Sequence, residues 1–288
     1  MERKGAAVRE VPVQAIQKTV CNLILEASYR IGGDVCRAVE EAYGTETSPA
    51  GREVLGQLLR NYGIAGEERI AICQDTGMCV IFLDIGQDVH IAGGDLNAAL
   101  DDAVRSAYTD GYLRKSVVRD PLYRRENTGN NTPPVVHVRI VSGDKVDILV
   151  TPKGFGSENM SAVKMLVPAD GEKGVIDFVV DTVRRAGPNP CPPVIVGVGI
   201  GGTMELAALM AKRMTARPLD EMNPDPAYAA LEGKILEKIN ALGIGPAGIG
   251  GKCTALGVHI MTAPTHIAGM PVAVNLCCHA ARHSHAVL

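Results

Sequence analysis

Residues 192–214 read PPVIVGVGIGGTMELAALMAKRM. The Val/Ile-rich run predicts a buried strand, and the segment from Thr203 carries apolar residues at helical spacing. The turn between them, GVGIGG at 197–202, fits G-x-G-x-x-G. Strand, glycine turn and helix together are the setting of a dinucleotide-binding βαβ unit. Such a unit needs a second strand after the helix, with an acidic residue at its end. Here the chain continues TARPLDEMNPDPAY, rich in proline and polar residues, so Asp220 and Glu221 fall on a loop. A dinucleotide site is therefore not expected. Two readings of the turn remain. Glycine lets the backbone approach a neighbour closely, or the N–H groups opening the helix face an anion or a cluster.

Outward from this stretch, helices and strands alternate. Apolar spacing over 11–43 predicts two helices broken at Gly32-Gly33, and TSPAGREVLGQLLRNYGIA predicts a third, capped at Thr47 or Ser48. CVIFLDIG at 79–86 reads as a buried strand, and DLNAALDDAVRSAYTDGYL as a helix with Asp95 near its start. PVVHVRIVSGDKVDILVTPKG, 134–154, reads as a β-hairpin turning at SGDK. Helices follow at 172–187 and in DPAYAALEGKILEKINALGIG, with late strands in ALGVHIMTAP and MPVAVNLC. The expected class is mixed α/β (α+β): a helical N-terminal part, then mixed, partly antiparallel sheets with flanking helices. The expected organisation is a single domain over 1–288, with two lobes meeting near 150–190 as a weaker division. No internal repeat is apparent.

Composition narrows the function classes. Apolar residues make up 46% of 288, enough for a sizeable core, but aromatics are 3% and Trp is absent, so aliphatic side chains must build it. A net charge of −3 supplies no positive field for nucleic acid. No apolar run reaches the roughly 18–20 residues of a membrane span. The charged start MERKGAAVREVPVQ lacks the apolar core of a signal peptide, so the expected location is the cytoplasm.

In a cytoplasmic chain the eight cysteines are expected as thiols, and their spacings match no zinc pattern. Cys21 and Cys36 fall at core-like helical positions, and Cys79 and Cys253 are also read as structural. Cys73, Cys191 and Cys278 each stand at the edge of an apolar run, beside glycine, proline or polar residues. Spacing alone makes these three only candidates.

ICQDTG, ENTGNNTP, KGFGSEN, CPPVIVGVGIGGT, LGIGPAGIGGK and HIAGMPVAVNLCCHA follow one another in this order. Together they resemble the iron–sulfur-dependent class I fumarate hydratases, specifically the α-subunit of the two-subunit type, over about 10–288. The resemblance implies a 4Fe–4S cluster held by three cysteines, Cys73, Cys191 and Cys278, with one iron open as a Lewis acid. Soft thiolates suit such clusters. The implied reaction is reversible hydration of fumarate to (S)-malate. Gln74 and Asp75 match a substrate-contacting pair, with Asp75 also in proton transfer; as a bare turn residue it would only shape Thr76-Gly77. Arg114 matches a carboxylate-binding arginine, with Arg119 as its rival because LRKSVVRDP departs from the family pattern. Gly154, Gly156, Ser157 and Asn159 match a substrate-side loop, and His266 a histidine set against substrate. His279, His283 and His285 match no ligand and read as a polar tail. Because single-chain members continue into a second domain, this chain is expected to need a separate β-subunit, in a hetero-oligomer, to complete its active site.

The nearest rival is an L-tartrate dehydratase α-subunit, against which KGFGSEN favours fumarate. A non-catalytic metal-binding scaffold is the rival of a different class. Within 271–278, adjacent strand residues point to opposite faces. Cys277 is therefore expected to pack away from the cluster that the resemblance assigns to Cys278.

Overall fold

The computed structural model describes residues 8–288, so the first part of the charged N-terminal stretch lies outside the described residues. The elements in chain order are β1 (Arg9–Pro12), α1 (Val13–Tyr29), α2 (Gly33–Thr45), α3 (Pro49–Glu68), β2 (Met78–Gly86), β3 (Val89–Ala92), α4 (Leu96–Asp110), β4 (Val135–Val141) and β5 (Val146–Lys153). They continue with α5 (Phe155–Glu158), β6 (Ala162–Leu166), α6 (Gly171–Ala186), β7 (Val194–Gly201), α7 (Met204–Met214), α8 (Pro226–Asn240), β8 (Ala255–Ala263), β9 (Met270–Cys277) and β10 (Ser284–Val287). This is the mixed α/β class expected. Local chemistry sets the helix starts. Asp95 accepts from the Ala98 N–H, Asp225 from Ala227 ahead of Pro226, and the Ser48 hydroxyl from Gly51. No helix among the described residues is long and apolar enough to cross a membrane.

The chain divides into two units. One comprises the chain up to Ile31, Ala65–Lys153 and Arg282–Leu288; the other Gly32–Ile64 and Gly154–Ala281. In the first, the sheet order is β10-β5-β2-β4, with β2 parallel to β4 and antiparallel to β5. Helices α1 and α4 pack together, and α1 places Ile16, Val20, Ile24 and Ala27 in the core at helical spacing, all fully buried. In the second, the order is β6-β9-β7-β8, with β7 parallel to β8 and antiparallel to β9. Its core joins α6, α8 and the inner strands through Val179, Ile235, Ile239, Val196 and Leu276.

The two sheets share one connectivity that the sequence does not announce. In each, a central strand is followed by helix, a parallel neighbour, and then an antiparallel strand on the central strand's other side. This corrects the hairpin expected at 134–154. Its two runs are strands, but β2, apolar except for Asp84 and buried along almost its whole length, lies between them. The SGDK loop crosses the end of β2 instead, where Gly86 and Asp88 donate to the Lys145 and Gly143 carbonyls.

The glycine-rich stretch at 197–202 is a packing device. A Cβ at Gly197 or Gly199 would lie 2.1 or 2.0 Å from the Ala211 or Ala207 carbonyl oxygen. The bare backbone of β7 thus lets α7 lie directly on the sheet. After α7 the chain enters α8, and only then β8, the parallel neighbour of β7.

Candidate active site

In the first unit, the segment entering β2 carries half-buried Cys73, exposed Gln74 and half-buried Asp75. Its next three carbonyls are tied inward. Arg282 Nη1 donates to Asp75 O at 2.6 Å, the Tyr108 hydroxyl to Thr76 O at 2.9 Å and Gly77 O at 3.1 Å, and Asn131 Nδ2 to Gly77 O at 3.1 Å. Asp75 Oδ1 accepts from the Gly77 N–H, so the carboxylate does shape the turn. The Thr76 hydroxyl donates to Arg114 O at 2.8 Å, which brings exposed Arg114 to the Gln74–Asp75 segment. Asn131, fully buried with φ +64, also takes the Ser116 and Val117 N–H groups on Oδ1. Further along the same connection, the Arg119 N–H donates to Glu126 O, and its Nη2 reaches Thr128 O at 3.5 Å. The Thr76 bond thus ties the Arg114 main chain to the Gln74–Asp75 segment, whereas Arg119 bonds to Glu126 and Thr128. Sequence reading passed over Tyr108, Asn131 and Arg282, although Asn131 lies within ENTGNNTP.

In the second unit, Cys191 is exposed, directly ahead of the proline pair that leads into β7, and has φ +55. A left-handed conformation at a non-glycine residue is strained, and such strain gathers at functional sites. LGIGPAGIGGK braces this segment: Ala247 N–H donates to Pro192 O at 2.8 Å. Gly248, at φ +73, passes so close that a Cβ would lie 2.3 Å from Pro188. The brace is pinned by Glu46, whose carboxylate accepts from the Thr47, Ser48, Lys252 and Cys253 N–H groups. Burial alone would raise the Glu46 pKa, but these four donors hold it below the usual carboxylate value.

β9 ends at Cys277, which is buried, and Cys278 stands just beyond the ladder, half-exposed. Because Cys277 pairs with Ile195, Cys278 and Cys191 lie at the same end of this sheet. The Tyr62 hydroxyl contacts His279 Nδ1 at 3.0 Å and donates to His279 O at 3.1 Å, holding the turn after Cys278. The histidines are therefore not a polar tail. His279 is anchored, and His285 lies on β10 with its Nε2 2.9 Å from Asp147 Oδ2.

His266 falls elsewhere. It is exposed on the turn between β8 and β9, with Nδ1 accepting from Ala268 N–H. Eight residues of β9, about 25 Å of strand, separate that turn from Cys278. Within this unit the structure does not bring His266 to the cysteines. Gly154, Gly156, Ser157 and Asn159 form one helical turn, α5 and its flanks, rather than an open loop. The Ser157 hydroxyl points back to Gly154 O, and the Asn159 N–H is spent on Phe155 O. A groove of this unit, between β6, α6 and α8, is lined by Asn159 but by none of the cysteines.

The eight cysteines are thiols. Burial pushes up the thiol pKa of Cys21, Cys36 and Cys79, and raises that of Cys253 to about 12. Those four are suited to packing, although Cys21 and Cys36 are half-buried rather than core residues. Among the described residues no ready-made group of three His, Cys, Asp or Glu side chains stands around a metal position.

Fold and residues together define a mixed α/β chain that presents thiol, amide and carboxylate groups on the segments entering its central strands. The chain belongs to the fumarate hydratase (Fumerase) family, whose model matches residues 17–287. It is accordingly a hydro-lyase. It is 40% identical over 274 residues to a Methanocaldococcus jannaschii protein named "Putative L(+)-tartrate dehydratase subunit alpha", covering 93% of this chain and 96% of that one. It is 33% identical over 276 residues to the L(+)-tartrate dehydratase subunit alpha of Escherichia coli K12, covering 95% and 91%.

Proposed function

We propose that this chain is the α-subunit of an iron–sulfur hydro-lyase acting on a four-carbon dicarboxylate, as part of a cytoplasmic hetero-oligomer with a separate β-subunit. Fumarate and (S)-malate are the first substrate reading, carried by KGFGSEN and the family model. L(+)-tartrate is the second, favoured by the names of the relatives. The single observation that carries the reading is the strained, exposed Cys191 at the same sheet end as Cys278.

The donor set fits a cluster. Cys73, Cys191 and Cys278 all lie outside regular elements and all retain solvent exposure, and three soft thiolates leave a fourth iron open. When bound, the cluster supplies a Lewis acid for substrate oxygens. The chain's own groups do the rest. Gln74 donates its amide to a substrate carboxylate. Arg114 pairs with a carboxylate through its guanidinium fork. Asp75 orients water or accepts a proton at its carboxylate. Gly156 and Asn159 remain exposed for substrate contact beside α5. His266, if it meets substrate, does so away from the Cys191–Cys278 end of its own sheet.

The test is anaerobic iron and sulfide analysis of the purified chain, followed by dehydration assays with malate and tartrate with and without the β-subunit. The expected result is three to four irons per chain, as the cluster type requires, with activity only when both subunits are present. A colourless or zinc-loaded protein would sink the reading, and full activity from the α-chain alone would remove the β-subunit from it.

A further inference from the structure

Resting on the proposed function, we propose that Arg282 is a positioning residue for the substrate-contacting segment Gln74–Asp75, acting through the Asp75 carbonyl. Arg282 is 2% exposed, and a guanidinium stays charged at any relevant pH. Its partner is a neutral main-chain oxygen, Asp75 O, at 2.6 Å. Its Nε is buried with no hydrogen-bond partner, and no ion pair neutralises it among the described residues. A buried charge in this state is costly. A neutral donor would avoid that cost, but would hold the carbonyl by a weaker bond.

What the charge adds is a positive field beneath a segment whose side chains meet an anion. The Asp75, Thr76 and Gly77 carbonyls are tied inward by Arg282, Tyr108 and Asn131. Gln74 is exposed and Asp75 half-buried. A dicarboxylate arriving there gains from a fixed cation in a poorly hydrated setting. Arg282 thus fixes the main chain and favours the bound anion, without touching substrate itself.

The experiment compares wild type, Arg282→Gln and Arg282→Lys in the complex with the β-subunit, prepared anaerobically, and measures three things. Hydrogen exchange of the peptide spanning 72–80 reads the clamp, and needs no activity. KM and kcat for malate and tartrate read the anion, and iron content reads the cluster. In Arg282→Gln, exchange of that peptide and KM should each rise roughly 10-fold, the scale of one charge-assisted hydrogen bond, with kcat changing less and iron content unchanged. Arg282→Lys should recover most of the KM. A wild-type KM and wild-type exchange in Arg282→Gln would overturn the proposal. So would equal loss of iron and KM in both variants, which would make Arg282 merely structural. If wild-type protein holds no iron and dehydrates nothing, the proposed function fails alone, and the exchange comparison still decides whether Arg282 holds the segment.

Discussion

Cys277 and Cys278 are neighbours with different surroundings: one is 6% exposed inside the β9 ladder, the other stands past its end. Cys278→Ser should abolish iron binding while Cys277→Ser leaves most of it, as iron analysis would read. The reverse pattern would shift the ligand by one position. Glu46 offers a test of support rather than ligation. Glu46→Gln keeps the shape but weakens acceptance from four N–H groups, and should cost about 1–3 kcal/mol at pH 7 by denaturant titration. Since the Glu46 pKa is depressed in the fold, its contribution is present above the ordinary carboxylate range and fades as pH falls below it. The gap between wild type and variant should close in acid. Much of this support was hidden in the sequence. Glu46 meets residues some two hundred positions away, and Arg282 meets Asp75 at a similar separation, so no local spacing could reveal either contact.

At the scale of elements, the β7–α7 layer depends on absent side chains. Gly199→Ala would drive a methyl into the Ala207 carbonyl and should cost more than about 3 kcal/mol, or prevent folding, read by thermal melting. Gly233, inside α8 with open space around its Cα, makes the opposite prediction. Gly233→Ala should stabilise by about 0.5–1 kcal/mol, because alanine is the better helix former and nothing obstructs it. Helices and central strands were legible because their apolar periods are strong: α1, α4, α6, β2 and β7 all fall where the pattern put them. Strand pairing was not legible. Alternating runs around SGDK look the same whether the strands pair with each other or flank a third, and β2, far upstream, decides between these. The short edge strands β1, β3, β6 and β10 lack a period long enough to stand out, which is why the C-terminal histidines looked like a tail.

Across the whole molecule, acid sensitivity has an identifiable source. Burial, reinforced by the Arg217 cation, lowers the pKa of His259 from 6.5 to about 4. The unfolded chain therefore binds a proton more readily in that interval, so stability is complete above pH 6.5 and lost as pH falls toward 4. The loss is on the order of 3 kcal/mol. A melting-temperature series against pH should show this slope in wild type and a flatter one in His259→Gln; equal slopes would refute it. The layout of the first unit has a further effect on how the protein comes into being. Strand β10 pairs with β5, and Val146 and Leu288 exchange both main-chain hydrogen bonds. These partners are separated by nearly half the chain, with most of the second unit between them. During synthesis β5 emerges long before its neighbour, so its edge stays bare while some 130 residues are still being added. A bare strand edge is a template for the wrong partner. The nascent chain is thus most open to self-association in that interval, and the arrival of β10 closes it.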